Sequence, residues 1–241
     1  QSNVLDITNL KSIKGISRDE DGDWHIGALT TWTDLIEEDL PSSFDGLKLS
    51  AREVGSVQIQ NRATVVGNIC NASPAADGVP PLLTLGARVK IGSMAGERRM
   101  PLRDFIQGNR KTALKPGEIV IGVVLPANST SGVSSFLKLG ARKYLVISIS
   151  MVASRIHVSN GCISDAAIAV GSCSLVAQRL LDLESLIIGK EATSDVVDLI
   201  KEDHFKNLAA IDDVRATKDY RMHAAKEMVA RALTQTLEAT I

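Results

Sequence analysis

Apolar and polar positions change period along the chain. Trp24 to Leu29 reads as a short strand, and Thr31-Trp32-Thr33-Asp34 resembles a capping box, with Asp in the place usual for Glu or Gln, opening a helix to about Glu38. Leu47 to Val54 and Pro80 to Leu85 read as helices, Arg88 to Ile91 as a strand, and Ile119 to Leu125 as a β-branched strand closed by Pro126. In the second half, strand text runs over Ser134 to Leu139, Val146 to Val158 and Cys162 to Val170, the last two joined by the hairpin dipeptide Asn160-Gly161. Helical text follows at Leu175 to Ile188, Ser194 to Lys201 and Asp219 to Ala239, where Met222, Ala225, Met228, Val229 and Leu233 recur at helical spacing as a core stripe. The first half fits α+β or α/β, the second a small antiparallel sheet backed by helices. The small, polar run Asn128-Ser129-Thr130-Ser131-Gly132 places a boundary between a unit of residues 1–127 and one of 133–241.

One segment resists this reading. From Arg52 to Asp77 the text is small and polar between two helical stretches, which suggests a backbone held for a ligand rather than for burial. Gly67 permits positive φ and close approach, and Thr64, Asn68, Asn71 and Ser73 offer short donors and acceptors. Asp77, just ahead of Gly78 and Val79-Pro80-Pro81, reads as a helix N-cap or as an acceptor for a ligand hydroxyl. The bland alternative is a surface connection whose residues supply turn chemistry alone. The small-residue part holds no His, Lys or Glu, so a ligand bound there brings its own chemistry, as a redox cofactor does. No residue is assigned a catalytic role.

Composition narrows the classes. The 241 residues are 44% hydrophobic and 23% charged, ordinary values for a globular chain long enough for two modest domains. A formal net charge of -1 gives no electrostatic footprint for nucleic acid or anionic membrane, and with no apolar run of spanning length a cytoplasmic protein is the default. Cys70, Cys162 and Cys173 are odd in number and lack a C-x-x-C pair, which argues against a disulfide framework, a zinc site or an iron–sulfur cluster on this chain. Cys162 and Cys173 read as buried thiols, whereas Cys70 would pack beside a cofactor or be open to oxidation without one. His25, His157, His204 and His223 share no ligand spacing and read as structural.

At this point the residues carry a resemblance. Ala51-Arg52-Glu53-Val54-Gly55-Ser56, Asn61-Arg62-Ala63-Thr64-Val65-Val66-Gly67-Asn68 and Ala72-Ser73-Pro74-Ala75-Ala76-Asp77 resemble, in order, the second flavin-binding segment of the FAD subunit of molybdenum hydroxylases, the xanthine dehydrogenase and carbon monoxide dehydrogenase family. Pro101-Leu102-Arg103-Asp104-Phe105, Arg110 to Val120, Ser135-Phe136-Leu137-Lys138 and Asp213 to Arg221 extend the likeness over nearly the whole chain. Val66 departs from the family's Gly-Gly-Asn, setting a β-branched residue at a point of close backbone approach. The family's Ala-Gly-Gly pyrophosphate loop does not precede Val4-Leu5-Asp6-Ile7, and Gln1-Ser2-Asn3 is either native or added, so the chain is expected to be the second lobe of a two-lobe FAD domain followed by the family's C-terminal domain, α+β overall.

The resemblance implies an oxidoreductase subunit. Substrate would be oxidised at a molybdopterin centre on a large subunit, and electrons would reach FAD on this chain through iron–sulfur clusters of a small subunit before leaving to NAD or another acceptor. It further implies that Thr64, Val65, Val66, Gly67 and Asn68 line the flavin, that Ser73 and Asp77 bind its polar parts, that Val120 packs near the ring and that Lys138 stands beside it. Read by itself, Lys138 is an exposed strand lysine. Two other readings stay open: a flavin-free assembly module that keeps the fold, and a stand-alone flavin oxidase, which no residue here looks placed to be.

Overall fold

The computed structural model describes residues 4–240; Gln1-Ser2-Asn3 lies outside them. Helices in chain order are α1 (Trp32–Glu37), α2 (Asp45–Arg52), α3 (Val57–Gln60), α4 (Val65–Asn71), α5 (Val79–Thr84), α6 (Leu102–Phe105), α7 (Leu181–Ile187) and α8 (Lys218–Glu238). Strands are β1 (Ile16–Arg18), β2 (Trp24–Gly27), β3 (Arg88–Ser93), β4 (Gly96–Pro101), β5 (Ile106–Gly108), β6 (Lys111–Thr112), β7 (Ile119–Leu125), β8 (Val133–Leu139), β9 (Ser150–Ser159), β10 (Cys162–Gly171) and β11 (Gln178–Arg179). The fold is α+β, with two main antiparallel sheets ordered β1-β2-β7-β3-β4 and β11-β10-β9-β8 and a two-stranded antiparallel pair β5-β6.

The second sheet is covered on both faces. Val152 and Ile156 point to α8, whose Ala225, Val229 and Leu233 complete that core, while Met151 and Ala153 on the alternate face meet Phe136 and the side of α2 and α5. Burial on both faces extends over Ser150 to Ile156 of β9, so the polar residues within that run, Ser154 and Arg155, are buried with hydrogen-bond partners. Helix α5 is apolar except for Thr84, whose hydroxyl donates to Pro81 O, and every residue of it is buried, because it lies between its own half and the second sheet. At the turn from β9 to β10, Asn160 (φ 52°) and Gly161 (φ 76°) both adopt the left-handed conformation that a tight two-residue hairpin requires.

The capping box is present, with the Thr31 hydroxyl accepting from Asp34 N and the Asp34 carboxylate accepting from Thr31 N. Several expectations are corrected. Val65 to Asn71 is helical, not loop: Thr64 caps it, and Val65, Val66, Ile69 and Ala72 fall at helical spacing into the core. Gly67 lies inside that helix and does not use positive φ. The helical text Leu175 to Ile188 yields only α7, because Gln178 and Arg179 first pair with Val170 and Ala169 as an edge strand. Residues 146–149 form the approach to β9 rather than part of it, and Ser194–Leu199 is a short 3-10 turn. Cys162 is exposed, not buried.

Two polar clusters set measurable properties. Arg155 on β9 is buried and crosses between the halves, donating from Nε to Thr84 O (2.9 Å) and from its terminal nitrogens to Ser131 O (3.0 Å) and Asp165 (2.6 Å). Removing it leaves buried acceptors without donors, so Arg155→Gln is expected to lower stability by about 3 kcal/mol in urea unfolding; a loss within experimental error would show that the fork contributes nothing. Glu118 accepts a two-pronged grip from Arg98 (2.7 and 2.8 Å) and the Lys115 N–H (2.8 Å), and these hold its carboxyl down at about 2. A depressed carboxyl stabilises the fold above its unfolded value of about 4.5, and that contribution is lost as pH falls toward about 2. Glu118→Gln is therefore expected to flatten the acid limb of stability against pH in that window, as read by thermal melts; an unchanged limb would contradict the assignment.

Candidate flavin site

The centre of the site is a buried ion pair between the two halves. Lys138 on β8 donates to Asp77 Oδ2 at 2.6 Å and to the carbonyl of Glu53, at the end of α2, at 3.1 Å. Its side chain is only 5% exposed, so it does not snorkel to solvent. The Ser148 hydroxyl donates to Asp77 Oδ1 at 2.5 Å. Burial pushes the Asp77 carboxyl up, and the Lys138 charge and these two hydrogen bonds pull against that. Asp77 is not the helix N-cap expected from sequence; Gly78 occupies that position without a side-chain cap. A Cβ at Gly78 would stand 2.5 Å from the Trp32 ring, so the tight join between α4 and α5 needs glycine there.

Asn68 ties α4 to the same point, its Oδ1 accepting from Gly78 N at 3.3 Å. Thr64 spends its oxygen on Gly67 N (2.9 Å), and Ser73 accepts from Ala75 N (3.2 Å). Asn68, Asp77 and Lys138 are thus joined by a short hydrogen-bond path, with Thr64 and the exposed Gly67 on the outer side of α4 and Ser73 just beyond its end. Val65, Val66 and Val120 send their side chains into the first core. The departure at Val66 therefore adds no bulk to the outer side of α4; its side chain is 3% exposed. Cys70 is half-buried against the core, and burial pushes its thiol up to about 11, so it packs rather than reacts.

Beside Ser73 and Pro74 lies a cavity of about 250 Å³, walled also by Asn109, Ser148, Ser172, Arg215 and Arg221. Two buried polar atoms on its wall, Ser172 Oγ and Arg221 Nε, have no partner among the described residues. Sequence reasoning missed Ser148, Ser172 and Arg221. Arg221 had a signal, because it precedes Ala225, Met228 and Ala232 on the buried stripe of α8, a place where an arginine needs a reason.

The donor set fits FAD. An ammonium has three N–H donors and Lys138 commits two, Asn68 keeps its amide donors, and Thr64 and Ser73 keep hydroxyl hydrogens, whereas the nearby carboxylate is already paired. That balance suits a ligand with carbonyl and ring-nitrogen edges and an anionic tail. Among the described residues no cluster of His, Cys, Asp or Glu could hold a metal, and no helix is long and apolar enough to cross a membrane.

The chain belongs to the family described as the FAD binding domain in molybdopterin dehydrogenase, which matches residues 1–128, and residues 135–236 match the CO dehydrogenase flavoprotein C-terminal domain. It is the flavoprotein component of an oxidoreductase of the molybdenum hydroxylase type, and its cofactor is FAD. The chain is 29% identical over 238 residues to the xanthine dehydrogenase FAD-binding subunit of Escherichia coli O157:H7, covering 98% of this chain and 82% of that one. It is 33% identical over 200 residues to the nicotinate dehydrogenase FAD-subunit of Eubacterium barkeri, covering 81% and 67%. A chain of the reconstituted CO dehydrogenase from Oligotropha carboxidovorans superposes with a TM-score of 0.86 at 24% identity, over 95% of this chain and 79% of that one, a likeness of fold.

The ion pair has a clear energetic signature. Lys138→Met leaves Asp77 buried without its cation and is expected to cost about 3 kcal/mol at neutral pH in urea unfolding, while adding Asp77→Asn is expected to recover at least a third of that loss. Strictly additive losses would show that the two groups do not interact.

Proposed function

We propose that this chain holds FAD along the path Thr64–Asn68, Ser73, Asp77 and Lys138, with Val120 and the buried valines of α4 as its apolar backing. On this reading it relays electrons from iron–sulfur clusters of a small partner subunit, drawn from a molybdopterin centre on a large one, to NAD or another acceptor in the cytoplasm. The observation that carries the proposal is the buried Asp77–Lys138 pair at the end of the family's flavin-binding segment, whose ammonium commits two of its three N–H donors. Bound FAD supplies the one- and two-electron chemistry that side chains lack. The residues here bind, orient and exclude water: α4 and the Ser73–Asp77 segment present donors from a rigid backbone, and Lys138 sets a fixed positive charge where added negative charge is favoured.

The cavity beside Ser73 supports access for an acceptor, since Arg215 and the free Nε of Arg221 offer cationic donors to an anionic group. The inward turn of Val66 removes one reason for preferring a flavin-free assembly module. Asp77→Asn is expected to weaken FAD retention about tenfold while the circular dichroism of the fold is kept, read by titrating FAD into the deflavinated subunit. Undiminished affinity would remove Asp77 from the site. In the FAD-loaded subunit under anaerobic conditions, NADH is expected to bleach the flavin absorbance, and an unbleached spectrum would exclude a pyridine nucleotide as acceptor.

A further inference from the structure

Left-handed backbone converges on the proposed flavin-binding segment. Of the five described non-glycine residues with left-handed backbone, three, Ala72 (φ 48°), Arg110 (φ 56°) and Ser172 (φ 63°), meet here; Leu145 and Asn160 lie elsewhere. Arg110 N donates to Ala72 O at 2.9 Å and Ser172 N donates to Pro74 O at 3.1 Å, so both outside residues grip the run from Ala72 to Pro74. A left-handed serine costs free energy and persists only where its surroundings fix it. For Ser172 that fixing group is Arg221.

Arg221 sits at the start of α8, 3% exposed. One terminal nitrogen donates to Ile149 O (2.6 Å) and Ser172 O (3.1 Å), the other to Asp213 Oδ1 (2.7 Å). Each of the first two contacts leads to the flavin site in one further step. Ser172 holds Pro74, and Ile149 follows Ser148, whose hydroxyl binds Asp77. Burial works against the charged form of Asp213, but hydrogen bonds from the Arg215 and Ala216 N–H groups and from both guanidinium groups outweigh it and hold the carboxyl well below the usual range. The anchor of Arg221 therefore stays ionised through ordinary pH.

We infer that Arg221 is a positioning residue for the flavin. From the second half of the chain it fixes the two backbone points, Ile149 and Ser172, that hold Asp77 and Pro74 in place, and so makes the geometry of the site depend on the docking of α8. This rests on the proposed flavin site. It assigns Arg221 no contact with the reacting atoms.

The test uses the complete subunit with deflavinated protein, FAD titration, visible circular dichroism of the bound flavin and thermal melting of the apoprotein. Four variants are compared: Arg221→Gln, Arg221→Lys, Arg155→Gln and Asp77→Asn. Arg155→Gln is the control, since it breaks a buried bridge between the halves that does not lead to the site. Arg221→Gln is expected to raise the FAD dissociation constant roughly tenfold and to alter the flavin's dichroism. Arg155→Gln, even when destabilised as much, is expected to change neither. Arg221→Lys keeps the charge without the fork and is expected to fall between, and it serves as the reading if Arg221→Gln does not fold. An Arg221 effect no larger than that of Arg155→Gln at equal stability would overturn the inference alone, provided Asp77→Asn still weakens FAD. If Asp77→Asn also leaves FAD binding unchanged, the flavin site itself falls and takes the inference with it.

Discussion

The proposed cofactor site is organised around a carboxylate and an ammonium held together out of water. Asp77 and Lys138 come from different halves of the chain and meet at 2.6 Å, nearly buried on both sides. Neither charge is affordable alone in that position, which is why the surroundings supply further partners: the Ser148 hydroxyl for the acid, the Glu53 carbonyl for the base. Because those partners sit on four separate segments, the pair fixes the relative placement of α2, α5, β8 and the approach to β9.

The architecture follows from that constraint together with burial. The second sheet has no solvent face: α8 covers one side and the first half covers the other, with α5 wedged between. The proposed flavin-binding segment lies at that seam rather than in the deep core. Its apolar side, through Val65, Val66 and Ile69, belongs to the first core, while its polar side remains available. Left-handed Arg110 and Ser172 each hold the same segment by a direct backbone hydrogen bond, to Ala72 and to Pro74, and Ala72 within it is left-handed as well.

Much of this was legible in the sequence, and the misses have physical causes. The strand Ile119 to Leu125, the hairpin at Asn160-Gly161 and the capping box at Thr31 were all readable because local chemistry dictates them. The α4 helix was concealed by its own composition: glycine and asparagine on its outer side suggest a loop, although Val65, Val66, Ile69 and Ala72 already carry the helical period. Gln178 and Arg179 became an edge strand because β10 had a free edge, information no local window holds. Lys138 shows the limit most clearly. Its partner lies 61 residues away, so an isolated reading takes it for a surface lysine, and only the resemblance to known flavin subunits pointed to a special role.

The most direct test is amide hydrogen exchange of the complete subunit with and without FAD. The account predicts that FAD slows exchange together in the segment from Thr64 to Asp77 and at Ile149 and Ser172, because one hydrogen-bonded network holds them. Protection confined to other parts of the chain, or no protection at all despite bound flavin, would contradict it.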